Sequence, residues 1–539
     1  MRSIVGLLFC VVLLSGCTDT LPVTLPQAAP PAAAVSIVIP DEASPALLLA
    51  ANDFADATLE MTGRRAPILR SLSMARSPVI QVVRDETIEG AQEYRLTRKS
   101  LGSQAYGIEV AASTDVGAMY GIYEVLADLG VRYHHPEQTF VPSDADALLP
   151  WDYDGELESP RFELRGFHEH TQHPIPLSDF YLRPDPDHRP YVTNYLQWLA
   201  RNRQNVASMH LLKTVDVDAW EPYIVDIIDE AQAYGIEIGA VVSFVDEQQN
   251  NYRLIDAYPS DDEDEQIRAS LSRLGELGFD FFTLPIASSE FTKAPDESIV
   301  RWINTAADVA ADLEPAPRLF TWVHISCDLR ADDGTNYWHL PARASAEVGA
   351  WVHTVMFHDL EHPAPVYDCE NFQHQLEFIE QEEGKRPLVY FPETAWWLGF
   401  DNNLPLALPI TGWTRAYDIN ESLTGKDVTG HITFTSGREW NYWQYDHFLT
   451  RATWEGATTW SDYLEWIAPM YGDRGPAVAT ALEAFAARQV EDFLETNPLI
   501  YFYLAGELRQ DEIGAQAGIL ARRPKLAYRD VVAFGDEEF

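Results

Sequence analysis

The sequence predicts a (β/α)8 barrel behind a small α/β domain, with a helical region at its carboxyl end. Three observations carry this. Eight strand-like runs follow one another from about residue 160, several with amphipathic stretches between them, and the runs are nearly continuous in apolar residues. Strands buried on both faces and alternating with helices belong to a parallel sheet, and eight such units close naturally into a barrel.

The chain opens on MRS and the apolar run IVGLLFCVVLL, too short to span a bilayer comfortably, closed by Leu14-Ser15-Gly16-Cys17. This matches a bacterial lipobox, so residues 1–17 are expected to be a lipoprotein signal with lipid carried on Cys17. Residues 18–34, TDTLPVTLPQAAPPAAA, then read as a tether. Thr18 after the cysteine, rather than Asp, resembles lipoproteins of the Gram-negative outer membrane, and the expected setting is its periplasmic or outer face. No later stretch is long and apolar enough for a membrane helix.

Of the 539 residues, 38 are basic and 83 acidic, a net charge of −45 that argues against nucleic acid and against anionic lipid. DDEDE at 261–265 reads as a solvated loop and helix start. With Cys10 in the signal and Cys17 lipidated, Cys327 and Cys369 remain, either bridged or as two buried thiols.

Residues 35–150 form the expected front domain, with strands in SIVIP and PVIQVV, a helix in PALLLAANDFADATLEMTG, and a second helix stopped by Gly130. The barrel is expected over 160–460. Its strands are RFELRGFHEH, NVASMHLL, IEIGAVVSFV, FDFFTLPIASSE, RLFTWVHIS, WVHTVMFHDL, PLVYFPETAWW and HITFTSGREW. YVTNYLQWLARNR, AWEPYIVDIIDEAQAYG, ESIVRWINTAADVAADL and NFQHQLEFIEQEEG space apolar residues three and four apart, as helices do; the fifth and seventh connections show no such pattern. Residues 461–539 read as helical.

A barrel carries its chemistry at the carboxyl ends of its strands. By this reading strand four ends in Ser288-Ser289-Glu290, strand six in His358-Asp359, strand seven in Glu393 and strand eight in Glu439-Trp440. Carboxyl groups converging on one rim suit glycosidic hydrolysis, which needs one group to protonate the leaving oxygen and another to attack the sugar or activate water. Trp396 and Trp397 beside Glu393 would exclude water and offer a sugar ring a flat apolar face. Glu290, Glu393 and Asp359 are the catalytic candidates, with Glu439 a substrate contact. His168 and His170 share one face of strand one, which suits zinc with a carboxylate or hydrogen bonds to sugar hydroxyls; the second needs no further ligand and is preferred. Lys213 and His324 close other strands as sugar contacts, and Trp322, Trp440 and Trp443 join as stacking candidates, whereas Trp198 and Trp302 lie in helical stripes and should pack inside. No metal or organic cofactor is implied.

The segment AYGIEVAASTDVGAMYGIYEVLADLGVRYHHPEQTFVP resembles the amino-terminal α/β domain of bacterial β-N-acetylhexosaminidases (glycoside hydrolase family 20) and α-glucuronidases (families 67 and 115). Ala287-Ser288-Ser289-Glu290 resembles the stretch holding the proton donor of family 67, His358-Asp359-Leu360 its strand-six stretch, and Glu393 its second base-side glutamate. The resemblance implies Glu290 as general acid, with Asp359 and Glu393 activating water for inversion. Two departures bear on substrate. The basic residues that hold a uronate are missing from LPIASSE and LEHPAP, and Ser289-Glu290 stands where family 20 has Asp-Glu. Many retaining barrel glycosidases are also similar in layout, and would make Glu290 acid/base and Glu393 nucleophile. The expected partner is a carbohydrate; the alternative is a glycan-binding lipoprotein on a barrel without turnover.

Overall fold

The computed structural model describes residues 35–75, 78–100, 106–143, 153–173, 175–289, 292–395, 407–437 and 440–496. Glu290, Trp396, Trp397, Glu439 and the lipidation candidate Cys17 lie outside them. So do residues 497–539 of the expected helical end.

Eight parallel strands close into a barrel: Leu164–Glu169, Val206–His210, Glu237–Val241, Phe281–Pro285, Arg318–Val323, Gly349–His353, Leu388–Phe391 and Gly430–Thr435. The eighth pairs with the first from Gly430 opposite Leu164 to Thr435 opposite Glu169, so the sheet has no edge. All eight expected runs overlap one of these strands; the sixth and eighth strands begin slightly earlier than their runs, at Gly349 and Gly430. Inside, Phe281, Phe320, Trp322, Trp351, Phe391 and Phe434 belong to one packed cluster. Room for rings this large comes from glycine: a Cβ on Gly239 would strike the Phe281 ring, and one on Gly349 would lie 2.5 Å from Phe320 Cδ1.

Helices Arg189–Arg201, Val217–Ala233, Asp296–Ala311 and Gln373–Glu382 fall where the apolar spacing puts them, and Trp198 and Trp302 are buried on their inner faces. The acidic run opens a further helix, as its reading as a loop and helix start expects: Glu263–Gly275, whose buried Ile267, Leu271 and Leu274 recur at helical spacing. Glu263 is itself buried and accepts the Trp302 indole N–H at 2.9 Å. The fifth connection carries the short 3-10 helix Tyr337–Arg343, and the seventh carries Ile410–Tyr417 running into π-helical Asp418–Ser422.

Before the barrel lies a six-stranded sheet ordered Ile68–Leu69, Ser36–Val38, Val79–Arg84, Tyr106–Ala112, Tyr94–Ser100, Asp154–Glu158. Helices Pro45–Thr62 and Asp115–Asp128 accompany it, their N-termini capped by the side chains of Ser44 and Thr114. Arg132–His135 and Gln138–Phe140 make a separate hairpin. It packs against the barrel, where Trp198 and Asn202 donate to the Tyr133 carbonyl at 2.8 and 2.9 Å. After the barrel come Trp460–Ile467, opened by a Thr459–Asp462 capping box, and Gly475–Gln489. Among the described residues no helix is long and apolar enough to cross a membrane.

Cys327 and Cys369 form a disulfide. It ties the loop leaving strand five to the loop leaving strand six, both at the carboxyl face of the barrel.

Candidate active site

Strand seven stops at Phe391, yet its ladder continues in a parallel bridge between Glu393 and Phe434 of strand eight. Phe434 N–H donates to the Pro392 carbonyl at 2.8 Å and Thr394 N–H to the Phe434 carbonyl at 3.0 Å. This extension fixes the Glu393 backbone at the mouth, with its side chain almost wholly buried. Oε2 accepts the backbone N–H of Met356, and Oε1 lies 3.5 Å from His353 Nε2. The other nitrogen of that ring, Nδ1, is 2.8 Å from the Phe391 carbonyl, which only accepts, so Nδ1 carries a proton. Nε2 therefore faces the carboxyl as an acceptor whenever the ring is neutral. Imidazole and carboxyl are in position to pass a proton between them. Among the described residues no arginine or lysine pairs with Glu393.

Met356 explains how a backbone donor reaches this carboxyl. The apolar run of strand six continues past His353, but Met356 has φ of +57°, a left-handed conformation costly for a side chain of this kind, and the chain turns off the sheet. His358-Asp359 thus lies in a loop rather than on the strand end. Wholly buried Arg415 holds that loop, donating to the carbonyls of Met356 at 3.3 Å and His358 at 2.6 Å. Its countercharge is Asp418, 3.2 Å away, which also accepts Leu360 N–H at 3.0 Å and the Tyr390 hydroxyl. Burial pushes the Asp418 carboxyl up to about 7 against the opposing pull of Arg415.

Asp359 is buried beside them. It accepts N–H from Glu361 and His362 at 3.0 and 2.7 Å, and the His362 ring stands 3.0 Å from Oδ2. Burial alone would raise this carboxyl, but the His362 ring and these amides outweigh it and hold it below its usual range, while the same contact raises His362. Its observed partners make it the anchor of a turn.

Around the mouth stand imidazoles. His168 lies on the barrel floor with Trp322, Trp351, Phe391 and Phe434 centred 5.6–5.9 Å from it, and its Nδ1 is 3.0 Å from Ser208 Oγ. His210 is 4.6 Å from His168, centre to centre, and His170 is 5.1 Å from His210. His324 and His353 sit 5.2 Å apart, with Trp322 edge-on to His353. Burial holds His168, His170 and His324 well below the ordinary histidine range and His210 down to about 3, so these rings are neutral at pH 7. His210 Nδ1 meets Asn251 Oδ1 at 2.7 Å; His210 Nε2, His168 Nε2, His324 Nδ1 and Trp322 Nε1 have no partner among the described residues. A neutral, ring-lined floor with unsatisfied nitrogens can exchange hydrogen bonds with hydroxyl groups.

Trp322 is accordingly floor rather than an open platform, whereas Trp440 is 46% exposed at the rim. Trp443 beside it is half-buried, edge-on to His134. Lys213 faces Asp246 at 3.5 Å. Ala287–Ser289 and Thr292–Lys293 pair as a small hairpin after strand four, flanking residues 290–291. One set of three donors converges to metal-ligand spacing among the described residues, Cys327, Cys369 and His374, and there the two sulfurs are bonded to each other; His168 and His170 join no such set.

Sequence reading did not single out His210, His353, Arg415 or Asp418. The two histidines end strands two and six in the structure but lie inside the runs NVASMHLL and WVHTVMFHDL, and the Arg415–Asp418 pair carried only a spacing of three.

No protein-family model matches the chain, and no curated protein matches its sequence. Solved structures share its fold. A family 138 glycoside hydrolase targeting pectin rhamnogalacturonan II aligns with a TM-score of 0.58 at 12% identity, over 85% of this chain and 70% of that one. A family 115 4-O-methyl-α-glucuronidase with specificity for decorated arabinogalactans aligns at 0.57 and 12% identity, over 84% of this chain and 61% of that one. The family 20 β-N-acetylhexosaminidase of Streptomyces coelicolor aligns at 0.51 and 13% identity, over 84% and 92%. The chain thus has a fold used by glycoside hydrolases, including two families that its front segment resembles. It spans less than two thirds of the family 115 enzyme.

Proposed function

We propose that the protein is a glycoside hydrolase acting on a polysaccharide or its oligosaccharides, tethered to the outer membrane of a bacterium by lipid on Cys17. The observation that carries the catalytic reading is Glu393: a carboxyl at the end of strand seven, nearly buried, paired with no cation among the described residues, and oriented by the Met356 amide and His353. In this reading Glu290, in the segment after strand four, protonates the leaving oxygen. Glu393 attacks the anomeric carbon or takes a proton from the attacking water, and carboxyl separation distinguishes the two, at about 5–5.5 Å for retention and about 6.5–9.5 Å for inversion. His353 Nε2 suits the base-side role, because it can accept a proton that reaches Glu393. Asp359 enters as an anchor of the loop rather than as a second base, since its carboxyl is occupied by the turn and His362. The disulfide supports export to an oxidising compartment.

The test uses the chain from residue 18 onward beside Glu290→Gln and Glu393→Gln, incubated with rhamnogalacturonan II, arabinogalactan, chitin oligosaccharides and aryl glycosides. Proton NMR follows the anomeric signal of each new reducing end. Release by the parent, reduced about 100-fold or more in either variant, is the expected outcome. The first anomer to appear decides between attack and water activation. If nothing is released while glycans bind all three proteins equally, the protein is a glycan-binding lipoprotein instead.

A further inference from the structure

We propose that the hairpin Arg132–Phe140 takes part in substrate binding: His135 braces Trp440 as a platform for a sugar ring outside the cleavage position, so the substrate is a chain of sugars rather than a single one. This rests on the glycosidase reading and deepens it.

Strand eight ends at Thr435 and helix Trp443–Glu455 follows it. A helix in this fold runs back antiparallel to its strand, so residues 436–437 and 440–442 lie at the carboxyl face, the face on which Glu393 bridges Phe434. There the Trp440 ring lies flat on the His135 ring, 3.7 Å between centres and 9° from parallel. His135 is buried, so Trp440 covers it with one face and owes its exposure to the rest of the indole. His135 Nδ1 accepts the Glu137 N–H at 3.1 Å, which fixes the imidazole plane. The hairpin beneath is held in turn. Tyr133 takes the two barrel-helix hydrogen bonds, and the Arg132 guanidinium sits 3.7 Å over the Trp466 ring while donating to the Trp466 carbonyl.

An indole already held flat on a fixed ring loses little rotamer freedom when a second flat surface stacks on its open side. The apolar face of a pyranose ring is such a surface. Asn441 beside Trp440 is exposed, and the chain as a whole is strongly acidic, which fits a hydroxylated partner better than an acidic one. His135 is a positioning residue: it acts on the sugar through Trp440.

The test is affinity electrophoresis of the Glu393→Gln protein in gels containing rhamnogalacturonan II or arabinogalactan, alone and combined with Trp440→Ala, Trp440→Phe, His135→Ala or His135→Phe. Trp440→Ala should weaken binding to the retained polymer about tenfold and His135→Ala about threefold. The Phe variants keep a flat ring, so each should recover most of the loss and guard against simple misfolding. Binding of Trp440→Ala within twofold of its parent overturns the platform while leaving the glycosidase reading intact. Loss in Trp440→Ala with none in His135→Ala overturns the brace. If the parent neither binds nor cleaves any glycan, the glycosidase reading falls and the platform falls with it.

Discussion

Lowering the pH from 7.5 to 5.5 should destabilise this protein by several kcal/mol, because it folds around histidines that it keeps neutral. In wholly buried His210 and His431 burial takes the ring to about 3, and in His358 to about 4. An unfolded histidine titrates near 6.5, so at pH 5.5 the unfolded chain binds protons that these rings refuse, and stability present above 6.5 is lost as pH falls toward the folded values. Each ring loses about 1.3 kcal/mol over this interval, or about 4 kcal/mol for the three. His339 and His374, both at about 4, and His168, His170, His324 and His447, all held well below the ordinary range by burial, act in the same direction. Asp418 opposes them: with a folded value of about 7, it takes up a proton in the native state first and returns about 2 kcal/mol. His362, raised by Asp359, opposes them too. The five rings held at about 3 to 4, set against Asp418, leave a loss of about 5 kcal/mol, comparable with the total stability of many domains; the four further buried rings add to it and His362 subtracts from it. Urea denaturation followed by circular dichroism at the two pH values measures it. His431→Phe, packed between Phe162 and Tyr390, should shrink the difference by about 1.3 kcal/mol. Equal urea midpoints at both pH values, or a higher one at pH 5.5, would refute the reasoning.

Reducing the disulfide, or replacing Cys327 and Cys369 by alanine, should lower stability by up to about 4 kcal/mol for a separation of 42 residues, seen as a fall in Tm on adding dithiothreitol. Arg415→Met should cost about 3–5 kcal/mol in urea denaturation, since it removes the countercharge that keeps Asp418 partly ionised and leaves the buried Met356 and His358 carbonyls without their donor. Where it still folds, Arg415→Met should also slow any glycan cleavage, because the Met356 amide no longer fixes Glu393.

The barrel was legible because its strands are buried on both faces, and runs such as NVASMHLL and IEIGAVVSFV contain little else. Local apolarity said less about where a strand stops. WVHTVMFHDL stays apolar for residues beyond the turn at Met356, and methionine gives no sign of a left-handed backbone, so Asp359 was read as a strand-end acid. The acidic run was legible as a loop and helix start, and helix Glu263–Gly275 begins there; what its charge concealed is that Glu263 is buried and satisfied by Trp302 from the next helix. Glu393 was legible from its strand position; its partners were not. Met356 reaches it from the loop after strand six, which Arg415 and Asp418 hold from the connection after strand seven, and no spacing in the sequence encodes that. The Cys327–Cys369 bridge and the His135–Trp440 stack are of the same kind, the latter joining residues 305 positions apart in the chain.

These long-range contacts have a common effect. A carboxyl on a strand end is placed by the sheet, but its rotamer is free unless something outside the strand grips it. Here the grip is a backbone amide, which cannot swing as a side chain would, and that amide is itself set by a strained residue. The strain persists because Arg415 holds both carbonyls of the turn from a site with no access to solvent, and because the disulfide closes the same loop onto its neighbour. The cost of burying Arg415 and Asp418 is thus offset by what they position. A pair buried only to stabilise the fold would be replaceable by apolar residues of similar size. This one is not, because any such replacement releases Met356 and leaves Glu393 free to turn.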